Sequence, residues 1–331
     1  MKQTDYLSIN DTKSIKGILV CMVLISHLHG RVGLFSQSLL GTAFSAFGNL
    51  AVSSFFFLSA FGLYESYTRK GKSYITHFFS KKILPYYGMC CVTIAIYLVR
   101  DLLLTGTTHW PTFFQSFLFG KTIVDLGWYL QALLVLYVIF FLVFRFVQKR
   151  QILFVTALIT IYCGICAIAG LAETWYESVL CFAFGLLCAK HKDKVFTLFP
   201  NWGKWIAAGV GLGVIFIITL FLGNKTFFAT PIRICIKMVS AIAFNCLVVW
   251  ISSRVKLANP VTGFLGKYSF EIYVLQGMFL YGYRPIIEND WLYMGAVLIS
   301  VIPLSLAAHP LLGVVSKTIS SLWGKNREGV Q

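Results

Sequence analysis

Lys16 and His27 stand eleven residues apart on the first strongly apolar segment of this 331-residue chain. At about 100° and 1.5 Å per residue, eleven residues return to within roughly 20° of the starting direction and rise about 16 Å. On a helix the two side chains therefore share one face, with the ammonium at one membrane surface and the imidazole in the interior. An ionisable ring inside a bilayer is costly and marks a functional site by default. A neutral imidazole is also suited to removing a proton from a poor nucleophile. His29 points to nearly the opposite face, and it and His309 are read as structural.

Further polar groups interrupt later apolar segments. Arg233 and Lys237 are four apart, so they share a helix face. A lysine at mid-depth costs about 2.5–3.5 kcal/mol on insertion scales, which calls for a counter-ion or a polar cavity. Glu177 is the candidate counter-ion, and these three are candidate substrate contacts. Asp125 and Trp128 are candidates for contact with a hydroxyl-bearing ligand, a carboxylate accepting from hydroxyls and an indole face stacking on a ring. Trp110, Trp128, Trp175 and Tyr176 also fit an interfacial aromatic belt.

The elements that must position these groups are membrane helices. Hydrophobic residues make up 58% of the chain, where soluble domains average about 45–50% with glycine included. Apolar stretches near the length that crosses about 30 Å of hydrocarbon recur at 17–34, 44–64, 83–104, 128–147, 152–171, 176–189, 205–222, 232–251, 268–283 and 291–315. The expectation is an all-α polytopic bundle of about ten transmembrane helices, one membrane domain over 1–331 with a short cytoplasmic tail at 316–331. The first segment lacks a small-residue cleavage pattern after its apolar run and is kept as a span.

Basic residues accumulate in cytoplasmic loops. On this layout 21 of the 28 Lys and Arg fall on one side, from Lys2 and Lys13 to Lys325 and Arg327, against Arg31, Arg100, Lys121, Lys225 and Arg284 on the other. An even number of spans then places both termini in the cytoplasm. The net charge of +16 is divided among short loops with no aromatic-interleaved stripe, which argues for anionic lipid and against nucleic acid. All nine cysteines lie within expected spans, where apolar packing is their expected role. Cys163 and Cys166 have C-x-x-C spacing with no partner pair, so no metal is expected.

Four local patterns resemble the acyltransferase-3 family of multi-pass membrane acyltransferases. Lys16 and His27 match its basic residue and His on the first helix. Phe55-Phe56-Phe57-Leu58-Ser59-Ala60-Phe61-Gly62 resembles its FFFLSG-type second helix, Trp128 to Tyr137 its fourth-helix signature, and Ser269 to Leu275 its SxxIYLL stretch. The family's R-x-x-R pair ahead of a proline is replaced by Phe79 and Lys82 before Pro85, with Lys81 as an additional cation. Gln276 stands where many members carry His.

The resemblance implies transfer of an acyl group, commonly acetyl, from cytosolic acyl-CoA to a carbohydrate hydroxyl at the cell surface, in a bacterial cytoplasmic membrane, with no permanently bound cofactor. His27 is then the general base, a covalent acyl-His intermediate being the alternative. Lys16, with Lys81 and Lys82, would hold the CoA phosphates. A polysaccharide or glycolipid exporter and a non-catalytic scaffold are the competing classes, and a scaffold has no use for a buried base.

Overall fold

The computed structural model describes residues 6–33, 35–198, 201–223 and 229–325. Lys2, Lys225, Arg327 and the ends of the expected first span and tail, Leu34 and 326–331, lie outside them. The chain forms α1 (Ile9–Val32), α2 (Leu39–Lys70), α3 (Lys72–Thr76), a π-helical turn (Phe79–Ile83), α4 (Leu84–Thr105), α5 (Trp110–Gln115), α6 (Trp128–Phe146) and α7 (Gln151–Ile168). A 3-10 turn (Glu173–Trp175) precedes α8 (Leu180–Lys190), α9 (Lys192–Leu198), α10 (Trp202–Gly223), α11 (Thr230–Ser252), α12 (Pro260–Lys267), α13 (Ser269–Gly282) and α14 (Asp290–Lys325). No strand occurs among the described residues.

Eight of the described helical segments are long and apolar enough to cross a membrane. Two expected spans correspond to shorter helices: 176–189 to the 11-residue α8 and 268–283 to the 14-residue α13, against about 20 residues for a full crossing. Trp175, Tyr176 and Val179 are buried beside α8 in turn and irregular backbone. Their apolar character thus serves contact with protein, which a hydropathy window does not distinguish from contact with lipid. Trp175 and Tyr176 accordingly present no face to an interfacial belt. At the other extreme α2 runs six residues past the expected 64, and α14 continues through the described part of the expected tail. Polar residues prolong a helix beyond the hydrocarbon without altering its hydrogen bonding.

The chain divides into two compact units, Met1–Ser66 with Thr156–Ser269 and Tyr67–Val155 with Phe270–Gln331. In the first, α1 and α12 cross at glycines. A Cβ on Gly17 would stand 1.9 Å from the Thr262 carbonyl oxygen, and one on Gly266 would stand 1.8 Å from that of Lys13. Small residues that let backbones approach this closely are a common means of helix association in membranes. Asp11 completes the clasp by accepting from the backbone N–H groups of Leu257 and Ala258, both at 2.9 Å. Ser14 Oγ accepts from Asn259 N at 2.9 Å and donates to Asn259 O at 3.1 Å. The Phe55 to Leu58 run is buried, and the carbonyl of Phe57 lies against Gly185 of α8. Trp205 and Trp250 stack at 4.1 Å between α10 and α11.

In the second unit α4 carries Pro85 in its first turn, where no intrahelical N–H bond is lost, and Gly88 faces Ile319 of α14. Three tyrosines fasten α4 and α13 to their neighbours through backbone carbonyls. Tyr86 donates to Leu130 O at 3.1 Å, Tyr97 to Val274 O at 2.9 Å and Tyr273 to Leu126 O at 3.1 Å. Gln131 Oε1 accepts from Gly120 N at 2.8 Å. The Trp128 and Ser269 patterns thus hold the loop before α6 and the packing around it.

The cysteines depart from expectation. Only Cys166 and Cys181 are buried, and Cys235 is exposed. The outer surface of a membrane helix is as apolar as its packed side, so an apolar context in sequence does not imply a buried thiol.

Candidate active site

The first unit contains both residues of the opening pair. α1 is unbroken from Ser8, which caps it by accepting from Asp11 N at 3.2 Å, to Gly33, whose left-handed φ of 66° closes it on the His29 carbonyl. At about 100° per residue, Val23 projects within about 20° of Lys16 and about 40° of His27, while Ile18 and Ile25 project the opposite way. Val23 is fully buried and the two isoleucines are exposed. Lys16 and His27 are both half-buried, so the pair lies on the packed side of α1 and the isoleucines on the other. His27 is five residues, about 8 Å, from the end of α1 at Val32. His29 sits against Phe44, ring centroids 6.0 Å apart.

α11 brings a second polar group into the same unit. Its C-terminal end leads to Leu257 and Ala258, which bond Asp11 at the start of α1. Its N-terminal end, with Arg233 and Lys237, therefore belongs to the side of the unit on which α1 ends. Lys237 Nζ lies 2.9 Å from Glu177 Oε2 and 3.3 Å from Glu173 Oε2, and Arg233 Nη2 pairs with Glu173 Oε1. Desolvation alone would raise the Glu173 carboxyl. Hydrogen bonds and charge from Arg233 and Lys237 outweigh it and hold the group below its usual pKa. Two cations and two acids give the quartet no net charge.

Glu173 was not anticipated from the sequence, although Glu173 and Glu177 repeat the i, i+4 spacing of Arg233 and Lys237. Such matched intervals on two segments are the signal that would have revealed it.

The other candidates belong to the second unit. Lys81 and Lys82 lie on the π-helical turn Phe79–Ile83, both exposed. A π-turn inside a helical run is a frequent mark of functional sites. Asp125 is ion-paired with Arg100, which also bonds Asp101 Oδ1 at 2.7 Å and lies 4.5 Å over the Tyr97 ring. Asp125 is therefore committed to a charge network. Trp128 opens α6 with its ring centroid 6.3 Å from that of Tyr129. His309 Nδ1 lies 2.7 Å from Oε1 of the buried Glu271, an imidazole–carboxylate contact between α14 and α13.

Lys16 and His27 on one face of α1, in a chain of long apolar helices, are the arrangement that the resemblance to integral-membrane acyltransferases implies. The acyltransferase-3 family model, described as an acyltransferase domain, matches residues 11–309, and the chain belongs to that family. Neither the curated proteins nor the solved structures gave a match.

Proposed function

We propose that the protein is a membrane O-acyltransferase that moves an acyl group, acetyl in the simplest case, from cytosolic acyl-CoA to a hydroxyl of an extracytoplasmic glycan or glycolipid. The observation that carries this reading is the unbroken α1, which sets Lys16 and His27 on one packed face in a chain of this family. His27 removes the proton from the acceptor hydroxyl as its oxygen attacks the thioester carbonyl. Collapse of the tetrahedral intermediate breaks the C–S bond, and the departing thiolate takes the proton from the imidazolium. Lys16 attracts the CoA phosphates at the cytoplasmic end, with Lys81 and Lys82 assigned to phosphate contact as well. Both termini are assigned to the cytoplasm by the distribution of basic residues, and the protein to a bacterial cytoplasmic membrane by its family resemblance.

The test is His27→Ala in cells, with ester groups on the surface glycan and the amount of glycan exported measured together. General-base loss lowers acyl transfer about 10²–10⁴-fold while export continues. Loss of export with esters retained would assign the protein to the carriers.

A further inference from the structure

The quartet at the head of α11 continues into uncharged polar groups that have no partner. Ser240 follows Lys237 by three residues and Arg233 by seven, so all three lie on one face of α11. Its hydroxyl is buried, 4% exposed, and makes no hydrogen bond. Ser178, next to Glu177, is 2% exposed and its hydroxyl is likewise unbonded.

A serine on a membrane helix ordinarily bonds a carbonyl three or four residues back, as Thr219 and Ser53 do in this unit. Buried polar atoms left unbonded are costly, most of all in hydrocarbon where no solvent intervenes. Two such hydroxyls beside one ion cluster mark a place completed by a molecule that both donates and accepts. The quartet restricts what that molecule is. Each of its cations already faces a carboxylate, so an incoming anion would meet two acids along with them. An uncharged polyol meets donors and acceptors without such a penalty.

We infer that Glu173, Glu177, Arg233, Lys237, Ser178 and Ser240 form a binding site for a neutral polyhydroxylated ligand, a hexose unit without carboxylate or phosphate. Its role as the acceptor site rests on the acyl transfer proposed above; binding itself does not.

The experiment uses the full chain in phosphatidylcholine nanodiscs without acyl-CoA, and saturation-transfer NMR of two probes of one shape, methyl glucoside and methyl glucuronide. The neutral glycoside binds about tenfold better than the acid. Ser240→Val weakens it by about tenfold, the loss expected for a buried hydrogen-bonding group. Glu177→Gln leaves a cation uncompensated and brings the glucuronide to the affinity of the glucoside, a gain that misfolding cannot produce. The site is overturned if the wild-type protein binds neither probe, if it binds both equally, or if both variants behave as the wild type. Binding of the glucoside without acyl transfer to any glycoside, with acetyl-CoA supplied, would leave this site standing and remove the transferase reading.

Discussion

Glu173 is the residue on which the charge cluster turns, since it contacts both cations of α11. Its pKa is depressed in the folded protein, so its contribution is complete above the unfolded value, about 4.3, and fades as pH falls through the lower folded value. Thermal unfolding of the wild-type protein should therefore lose stability in acid, while Glu173→Gln should flatten that decline and cost about 1 kcal/mol at neutral pH. Lys16 makes a kinetic prediction. Lys16→Ala should raise KM for acyl-CoA with little change in kcat, and Lys16→Arg should restore much of the loss, as measured by steady-state acyl transfer. At this scale the sequence was legible where spacing alone encodes a shared helix face, as in Lys16 with His27 or Arg233 with Lys237. It was not legible where a side chain's partner is distant in the chain. The ion pair of Asp125 with Arg100, 25 positions away, is of this kind, and no local spacing encodes it.

Among the elements, α1 depends on α12. The glycine crossing leaves no room for a methyl group, so Gly17→Ala or Gly266→Ala must push the helices apart, with an overpacking cost of about 1–3 kcal/mol or more. Gly211→Ala, where a Cβ meets nothing, should be neutral, and thermal melting in nanodiscs compares the three. The long helices were readable because crossing a bilayer demands one property, a sustained apolar run. α8 and α13 were read as longer spans and α12 was not read, because their lengths follow from neighbours and not from bilayer thickness. The octet Pro260–Lys267 carries too few apolar residues to register as an element, yet its Asn259 cap and two glycines seat it on α1.

For the whole molecule, the eight long apolar helices and the family match define an integral membrane acyltransferase, and its orientation is the testable part. Single-cysteine labels placed at Ser73 should react only from the cytoplasmic side. Cys235 is exposed and must first be replaced. Reaction at Ser73 from outside would reverse the assigned topology. The ion quartet also bears on how the chain enters the bilayer. α11 emerges from the ribosome after Glu173 and Glu177, so its two cations meet acids already delivered by the earlier connection between α7 and α8. Biogenesis then has a direction: replacing both acids with Gln should lower the fraction of nascent chains in which α11 is integrated, read by protease protection, even though no residue of α11 itself has changed.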